Sequence, residues 1–574
     1  MQNRPRTKDG VPDWARDAIW YQIFPERFRN GDPNNDPRPE DIATDSVPGW
    51  RVSPWGMDWY RQAASERKRG SFYRSVYLRR YGGDLIGIRD KLDYLQDLGV
   101  NALYLNPIFM ARSLHKYDGS SFHHIDPTFG PDREGDLRAI REARETEDPA
   151  TWIWTAADRY FLDLVRDIHE RGMRIIIDGV FNHTGTAFFA FRDILHNGRA
   201  SRYRDWYRIQ RWNKNGTFKY RGWFNHAALP ELARTRDNLV RPVRNYIFHI
   251  TRRWMDPDGD GDPSDGIDGW RLDVAFCVPH GFWKEWRRLV KSINPEAYLT
   301  GEIVTLASPW LRGDEFDAVM NYMWLYPSVD FFAPGRRPIS SEQFKRRLDV
   351  MRRAYTADVW PVLQNLLDSH DVARIASMLE NPDVPKKSWE DYFNASRVKH
   401  NGAFRTTKPG ERARQALRQL VMFQVTYPGA PMIYYGTEVG MWGANDPDNR
   451  QPMLWDDIRF EPETRTVKGS CPAGKRKPDK ALYRFFQRAF ELRRKSIALR
   501  RGGFRWLKSG HERLLAFKRT HGDEEIVVVF NASDVPVRYK VGKRSEDIWN
   551  DGMHHSPGKV EILPRGWKVL KSIG

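Results

Sequence analysis

Short apolar runs alternate with stretches of helical periodicity along most of this chain. Eight of the runs have the composition of buried strands, and most of them are followed by an amphipathic helix. This alternation is typical of a parallel sheet covered by helices, and eight repeats favour a closed (β/α)8 barrel, the TIM-barrel architecture, over an open doubly wound sheet. No glycine-rich phosphate loop follows the first run, which argues against a nucleotide-binding fold. The predicted strands are residues 18–24, 101–109, 173–180, 269–275, 298–303, 318–322, 362–367 and 431–435, and the predicted helices are residues 85–98, 156–171, 282–293, 341–355, 412–426 and 480–494.

Two segments depart from the alternation. The stretch between the third and fourth strands is rich in Arg, Trp, Asn and Asp and is too long for a simple loop, so it predicts an inserted subdomain. After about residue 498, short β-rich runs replace the helical period and predict a C-terminal antiparallel β-sandwich. The expected organisation is a barrel of residues 1–183 and 244–497, an inserted subdomain of residues 184–243 and a β-sandwich of residues 498–574.

The basic excess of the chain is a weak indication of a nucleic-acid partner. A formal charge of +18 could attract phosphates. The 93 basic residues, however, are spread along the chain and interleaved with 75 acidic ones. We therefore expect a solvated surface and no nucleic-acid binding.

We expect neither a membrane span nor a leader. No stretch approaches 18 apolar residues, and the first residues lack the apolar core of a signal peptide. We expect no membrane partner and a cytoplasmic location if Met1 is the true start, with a periplasmic or secreted location as the alternative. Cys277 and Cys471 make no disulfide framework, and no Cys/His spacing typical of a metal site is present.

Three acidic residues end apolar, strand-like runs: Asp273, Glu302 and Asp371. Burying an unpaired carboxylate costs several kcal/mol, so each is either paired in the structure or held there for chemistry. For one such acid the two interpretations are equally good. Three of them, two beside the polar residues Arg271 and His370, favour a site, and in a barrel the site forms where the strands end.

The motifs at four strand ends, DGVFNHTG, GWRLDVA, YLTGEI and NLLDSHD, together resemble the α-amylase superfamily of retaining glycoside hydrolases. The segments SLHKYDGSSFHHIDPTFG, PWLRGDEFDAVMNY and PMIYYGTEVGMWGANDPDNRQPM are similar to its neopullulanase and cyclomaltodextrinase branch. The resemblance implies hydrolysis of α-1,4 bonds in maltooligosaccharides, cyclodextrins or fragments of starch and pullulan. A transglycosylase or α-glucosidase with the same triad is the alternative enzyme, and an inactive carbohydrate-binding barrel is the alternative outside catalysis.

The resemblance also implies a different role for each of the three acids. Retention of configuration needs a nucleophile and an acid/base about 5 to 5.5 Å apart, and the implied pair is Asp273 and Glu302. Arg271 is expected to keep Asp273 ionised, and the apolar neighbours of Glu302 are expected to raise its pKa. Asp371 is the implied binder of substrate hydroxyls in the transition state.

The remaining implied substrate contacts are histidines, an aromatic residue and charged groups. The histidines would donate hydrogen bonds, the tyrosine would stack on a sugar face, and the Asp–Arg pair would hold the glycone side. The structural alternatives are satisfied core histidines, an ordinary core aromatic residue and a loop salt bridge. The expected contacts are His115, Tyr117, Asp118, His183, Arg271, His370, Asp446 and Arg450.

An early oxygen-rich turn suits a structural calcium ion. The stretch NGDPNND supplies amide and carboxylate oxygens, and the resemblance adds a glycine carbonyl and an aspartate farther on. The loop of residues 256–269 has the start of a second calcium loop but no Glu at its twelfth position, so an acidic turn is an equal alternative. The expected ligands of the first site are Asn30, Asp32, Asn35, Asp36, Gly82 and Asp84.

Several features depart from the branch and leave the finer specificity open. Phe276 and Cys277 replace a usual Asn-Glu pair, Val304 replaces a common Trp, and residues 229–232 read LPEL where MPKL is frequent. The first predicted strand begins near Ala18, with no separate N-terminal β-domain before it. A monomer is therefore expected more than a dimer, while α-1,6 activity and the preference for linear or cyclic substrates stay undecided.

Overall fold

Eight parallel strands form the centre of the computed structural model, which describes residues 10–42 and 49–573. Their order in the sheet is β6-β5-β4-β3-β2-β1-β8-β7 in the numbering given below. A parallel bridge between Met320 and Gln364 joins the two edges, so the sheet closes into a barrel. The strands are β1 Trp20–Ile23, β2 Ala102–Leu105, β3 Arg174–Gly179, β4 Gly269–Leu272, β5 Tyr298–Gly301, β6 Ala318–Val319, β7 Gln364–Leu366 and β8 Ala430–Tyr434.

Burial on both faces explains why these strands read as continuous apolar runs. Every residue of β1, β2, β4 and β5 is buried, because side chains fill the barrel interior on one face and helices cover the other. The register of the sheet sets the height at which the predicted catalytic residues follow their strands, because Leu272 of β4 pairs with Gly301 of β5. The next residues, Asp273 and Glu302, therefore leave the barrel side by side.

The six predicted helices are present, but several helices of the structure were not predicted, among them Arg133–Ala143 and Arg241–Met255. The predicted helix 85–98 is two helices, and the predicted strand 318–322 stops at Val319 because Asn321 turns to bond Gln364 and Asn365. Tyr322 instead begins a helix that the sequence did not indicate. The α-helices are Pro25–Phe28, Ala64–Arg67, Phe72–Ser75, Leu85–Arg89, Leu92–Leu98, Arg133–Ala143, Ala156–Glu170, Phe189–Asn197, Arg241–Met255, His280–Ile293, Tyr322–Phe332, Ser341–Ala354, Ile375–Glu380, Trp389–Ala395, Glu411–Thr426, Lys480–Lys495 and Ile497–Arg501.

The long segment between β3 and β4 carries its own small structure. It holds the helix Phe189–Asn197 and an antiparallel hairpin of strands Ile209–Trp212 and Phe218–Tyr220. Bridges from His183 to Glu231 and from Tyr207 to Leu232 tie the segment to the end of β3. It therefore lies at the carboxyl end of the barrel, beside the predicted site.

The C-terminal part is antiparallel, as the sequence indicated. Six strands form one sheet, in the order 503–507, 514–521, 524–531, 567–572, 545–547 and 553–555, and strands 537–541 and 558–562 form a second. Leu514 and Val529 of the first sheet pack in one cluster with Tyr539 and Ile562 of the second. The predicted barrel with a C-terminal antiparallel domain is thus confirmed. Within the described residues, no helix is both long and apolar enough to cross a membrane.

Candidate active site

The carboxyl ends of β3, β4 and β5 meet around one buried guanidinium, that of Arg271. Asp178 of β3 pairs with Arg271 of β4 in the sheet register. The Nη1 atom of Arg271 lies 2.9 Å from Asp178 Oδ1 and 3.0 Å from Asp273 Oδ1. Its Nη2 atom lies 2.8 Å from Glu302 Oε2. Two of the predicted catalytic carboxylates therefore share one cation, which keeps them close together.

Burial controls the protonation of this pair. It raises the pKa of Glu302 above its ordinary value, in the expected direction. It also raises the pKa of Asp273 well above its ordinary value; Arg271 acts in the expected direction and lowers this pKa, but burial outweighs it. Glu302 and Asp178, which contact the same guanidinium, add repulsion that raises the pKa of Asp273 further. Two carboxyls that compete for one cation favour a state with one proton between them, as a mechanism with one acid and one nucleophile uses.

The residue after Asp273 has a strained backbone. Val274 adopts φ 37° and ψ 46°, in the left-handed region, which is unfavourable for a β-branched residue and costs about 1–3 kcal/mol. This conformation lets its N–H donate to Glu302 Oε2 over 3.0 Å. The residue after the predicted nucleophile thus holds the carboxylate of the predicted acid/base in place. The sequence did not reveal this contact.

The third acid lies between a histidine and an arginine. Asp371 Oδ2 is 3.0 Å from His370 Nε2, and Asp371 Oδ1 is 3.3 Å from Arg450 Nη2. Burial tends to raise the pKa of Asp371, but His370 and Arg450 outweigh it and hold the pKa below its usual range. Arg450 also pairs with Asp446 at 3.0 Å, and Asp446 accepts from Arg397 at 2.8 Å. Asp446 and Arg450 therefore form a loop ion pair and are also connected to the cleft.

Tyr117 joins the two sides of the cleft. Its hydroxyl donates to Asp178 Oδ2 over 2.9 Å and lies 2.6 Å from His370 Nε2. Its ring lies nearly parallel to that of His370, with centroids 5.5 Å apart. The side chain is only partly buried, so part of the ring is available to a sugar.

His115 and Asp118 hold the turn that carries Tyr117. The carboxylate of Asp118 accepts from the backbone N–H and the hydroxyl of Ser113, and His115 Nδ1 accepts from the backbone N–H of Tyr117 over 3.2 Å. Burial lowers the pKa of His115 to about 4, so its ring is neutral at pH 7. These contacts favour a positioning role over the direct sugar contacts that the resemblance implied.

His183 keeps one ring nitrogen without a protein partner. Its Nδ1 faces Asn182 Nδ2 at 3.1 Å, whereas its Nε2 is buried and unpaired. Asn182 Oδ1 faces Arg234, so the amide group of Asn182 donates to Nδ1 and the proton of His183 lies on Nε2. Burial lowers the pKa of His183 to about 4. The backbone of Tyr117 is near enough to act on this ring, yet Nε2 makes no hydrogen bond of normal geometry, so this neutral, buried donor is available to a ligand that accepts from it.

Some residues of the cleft were not among the predicted site residues. Asp178 binds Arg271 and two tyrosine hydroxyls, and its place at the end of an apolar run is the same signal that marked the three acids. Trp223 stacks on His183 with centroids 5.5 Å apart, and the neighbouring Phe224 is 67% exposed. Both aromatic residues come from the inserted segment, where no periodicity marks them.

The departures from the branch lie beside the acids. The side chain of Phe276 is 41% exposed, and Val304 packs partly buried against the core. Burial raises the pKa of the Cys277 thiol to about 11, so it stays protonated and does not compete as a nucleophile. The carbonyl of Cys277 accepts from Arg234, which holds the inserted segment against this turn.

The expected calcium ligands lie together near the end of β1. Asn30 Nδ2 donates to Asp36 Oδ1 over 2.7 Å, while Oδ1 of Asn30 and Oδ1 of Asn35 are buried without partners. Burial raises the pKa of Asp36 to about 6. Gly82 has φ +73°, and a Cβ there would lie 1.9 Å from Asp36 Oδ1, so only glycine fits. Two unpaired amide oxygens and a desolvated carboxylate suit a hard cation such as calcium.

Asp84 and Asp32 have additional partners in this cluster. The carboxylate of Asp84 accepts from the backbone N–H groups of Gly31, Asp32 and Gly87 and from Asn35 Nδ2. Asp32 Oδ1 accepts from the backbone and the side chain of the next residue but one. Asp84 therefore joins the turn to the start of the helix Leu85–Arg89, whether or not it also binds an ion.

The second acidic loop folds as a series of turns. One carboxylate oxygen from each of Asp256, Asp258 and Asp265 lies within 4.8 Å of the others. Repulsion from Asp258 adds to the effect of burial in raising the pKa of Asp265. Asp260 and Asp262 instead cap the backbone of the loop.

Comparison with known proteins agrees with this geometry. The family model described as "Alpha amylase, catalytic domain" matches residues 22–147 and 156–502. Neopullulanase 2 of Thermoactinomyces vulgaris is 38% identical over 568 residues, which cover 98% of this chain and 78% of that protein. Cyclomaltodextrinase of Thermoanaerobacter pseudethanolicus is 35% identical over 526 residues, which cover 91% of this chain and 71% of that protein.

A solved structure extends the comparison to the fold. Ligand-free cyclic α-maltosyl-(1→6)-maltose hydrolase from Arthrobacter globiformis has a TM-score of 0.70 and 27% identity, and the match covers 98% of this chain and 100% of that one. The family model covers most of the barrel, and the relatives match along nearly the whole chain. The chain therefore belongs to the α-amylase family of glycoside hydrolases, in its neopullulanase and cyclomaltodextrinase branch.

Proposed function

We propose that this chain is a retaining α-glucan hydrolase that cleaves α-1,4 bonds of maltooligosaccharides, cyclodextrins or fragments of starch and pullulan. The observation that carries the proposal is the single guanidinium of Arg271, which contacts both Asp273 and Glu302. Sharing one cation favours the short separation of about 5 to 5.5 Å found in retaining enzymes over the longer one that leaves room for a water. The names of neopullulanase 2 and cyclomaltodextrinase support the same substrate class.

The reaction takes two displacements. In the first, Asp273 attacks the anomeric carbon, the glycosidic C–O bond breaks, and Glu302 gives its proton to the leaving oxygen. In the second, ionised Glu302 takes a proton from water, the water oxygen attacks the same carbon, and Asp273 leaves. Asp371, with its lowered pKa, accepts hydrogen bonds from sugar hydroxyls in both transition states.

Product analysis tests this proposal. We expect the purified chain to release glucose and maltose from maltoheptaose and to open and degrade β-cyclodextrin. Products longer than the substrate would indicate the transglycosylase alternative, and glucose as the sole product, released from chain ends with no cleavage of β-cyclodextrin, would indicate an α-glucosidase. No product from maltoheptaose, β-cyclodextrin, maltotriose or pullulan would contradict the proposal and favour an inactive binding barrel.

Replacing His183 with Phe (H183F) should weaken the transition-state complex. His183 has a buried donor without a protein partner, and losing one such hydrogen bond costs about 1–3 kcal/mol, or roughly 5- to 150-fold in kcat/KM. The measurement is kcat/KM on maltoheptaose. Because the pKa of His183 is about 4, its charge does not change above pH 5, so the shape of the pH profile between pH 5 and 8 should stay the same.

The control is His169→Phe, since His169 is a histidine that pairs with the carboxylate of Asp268 outside the cleft. It should leave kcat/KM within about twofold, as expected for a substitution that changes no substrate contact. Equal losses in the two variants would contradict the role of His183.

We further propose that the cluster around Asn30 and Asp36 holds a structural calcium ion. Asn30, Asp32, Asn35 and Asp36 would bind it, with the carbonyl of Gly82 and the carboxylate of Asp84 completing the site. The unpaired amide oxygens and the desolvated Asp36 support this. The ion would supply positive charge that holds the turn after β1 against the helix Leu85–Arg89, and it takes no part in the reaction.

Chelation should lower the melting temperature at pH 7 by about 3 °C, the shift expected when an ion at about 1,000 times its Kd is removed from a chain of this size. The pKa of Asp36 is raised to about 6. Because protons compete with calcium for this carboxylate, the difference in melting temperature between the calcium-loaded and the chelated protein should shrink as the pH falls through about 6 toward 4. Differential scanning calorimetry with and without chelator measures both effects.

Two variants locate the ion. Asp36→Asn should remove the effect of the chelator, whereas Asp258→Asn in the second acidic loop should preserve it. The opposite pattern would place the ion at the second loop, and an unchanged melting curve for the wild-type chain would argue against calcium at either place.

The monomeric state and the cytoplasmic location stay predictions. Light scattering during size-exclusion chromatography measures the first, and a mass of two chains would contradict it. Neither a nucleic acid nor a membrane enters the proposed reaction, so added DNA or lipid vesicles should leave kcat/KM unchanged.

A further inference from the structure

Two histidines and a glutamate converge outside the catalytic cleft. His123 Nε2 lies 3.2 Å and His124 Nε2 lies 2.6 Å from the same oxygen, Glu145 Oε2. One ligand atom from each residue falls within 4.8 Å of the other two. The three side chains line a cavity of about 640 Å³, and the second oxygen of Glu145 accepts from the backbone N–H of Ile153 over 2.7 Å. The three ligand atoms are therefore gathered next to open space in direct hydrogen-bond contact, and a bound ion would move His124 Nε2 and Glu145 Oε2 from 2.6 Å to roughly 3.3 Å apart.

The far side of each imidazole is also held in place. His124 Nδ1 lies 2.8 Å from Asp158 Oδ2, and His123 Nδ1 lies 2.9 Å from the hydroxyl of Tyr246. The ring of His123 stacks on Trp152, with centroids 4.4 Å apart and planes 1° apart. Outer partners on Nδ1 fix the ring orientation and leave Nε2, which faces Glu145, as the nitrogen that can bind an ion, as around histidines that bind metals.

We propose that His123, His124 and Glu145 form a binding site for a divalent transition-metal ion such as Zn²⁺. Two imidazole nitrogens and one carboxylate oxygen are a common zinc ligand set, and a water from the cavity would take the fourth position. Imidazole ligands favour Zn²⁺ over Ca²⁺ and Mg²⁺, which prefer oxygen. The site shares no residue with the proposed calcium cluster or with the catalytic groups.

The competing interpretation is a structural ion-pair network. Glu145 and Asp158 flank His124, and Arg253 Nη2 lies 3.1 Å from Asp158 Oδ2. Such a network explains the contacts of His124 with Glu145 and Asp158. It does not require the Nε2 atom of His123 to be directed at the same oxygen of Glu145. That convergence is what an ion among the three atoms explains and an ion pair does not require.

Calorimetric titration tests the proposal. The chain, freed of metals by chelation and then supplied with saturating Ca²⁺, is titrated with Zn²⁺. The wild-type chain should bind one equivalent, and His123→Phe, which keeps the stacking on Trp152, and Glu145→Gln should each weaken binding by about 100-fold or more, since even outer partners contribute 10- to 100-fold. X-ray absorption on the zinc form should show two imidazole nitrogens at about 2.0 to 2.1 Å.

Activity and a matched histidine serve as controls. Both variants should keep the wild-type kcat on maltoheptaose, which shows that they are folded and separates this proposal from the catalytic one. His169→Phe removes a histidine that faces a single carboxylate and should bind Zn²⁺ as the wild-type chain does. The proposal is overturned if the wild-type chain binds no Zn²⁺ or if both site variants bind it with unchanged affinity.

Discussion

Replacing Asp273 with Asn (D273N) should lower kcat for maltoheptaose hydrolysis by about 10⁴-fold or more, as expected when a nucleophile is removed. This loss corresponds to about 5.5 kcal/mol of transition-state stabilisation. The amide keeps the shape of Asp273 but cannot form the glycosyl ester, so KM should change much less than kcat. Steady-state kinetics on the purified variant measures both constants.

The control is a buried Asp–Arg pair of similar character outside the cleft. Asp317 lies 2.9 Å from Arg287, and both side chains are almost fully buried. Asp317→Asn should reduce stability, because breaking a buried ion pair costs about 3–5 kcal/mol, but kcat per folded molecule should stay close to wild type. D273N turnover within about tenfold of wild type would contradict the nucleophile assignment, since such a loss is far below that expected for a nucleophile.

Replacing Glu302 with Gln (E302Q) should lower kcat on maltooligosaccharides by about 10² to 10⁴-fold, the usual contribution of general acid/base catalysis. The loss should depend on the leaving group. Fluoride leaves without a proton, so α-maltosyl fluoride should still glycosylate E302Q at an appreciable rate, whereas D273N should fail with both substrates. A burst of fluoride release measures this first step.

The pH profile gives a second test of Glu302. Glu302 acts as the acid only while protonated, and its raised pKa extends that form above the ordinary range of Glu. For the wild-type chain, kcat/KM should fall as the pH rises through this pKa, and the alkaline limb should be absent in E302Q with the fluoride substrate. Glu315→Gln is the control, since Glu315 is also buried with a raised pKa but faces His280. If E302Q keeps the alkaline limb, Glu302 is not the acid.

The sequence was sufficient for the barrel because its strands are buried on both faces and read as unbroken apolar runs. The same context marked Asp273, Glu302 and Asp371, since a charge at the end of such a run is unusual. Two boundary errors have local causes: the predicted helix 85–98 divides after Arg89, and the strand before Tyr322 ends early because of the hydrogen bonds of Asn321.

What the sequence did not reveal depends on distances between segments. Burial, together with repulsion from Glu302 and Asp178, raises the pKa of Asp273, and no single motif shows this. The left-handed turn at Val274 follows from the tertiary structure in the same way. The sequence spacing of His123, His124 and Glu145 does not suggest a metal site. The fold brings the three side chains together.

Mass spectrometry of the covalent intermediate tests whether Asp273 is the nucleophile. E302Q, incubated with α-maltosyl fluoride, should form the glycosyl ester but lack the base that activates water, so the intermediate should accumulate. After rapid quenching and digestion, we expect one maltosyl group on the peptide that contains Asp273. A maltosyl group on another residue, or fluoride release with no labelled peptide, would contradict double displacement through Asp273.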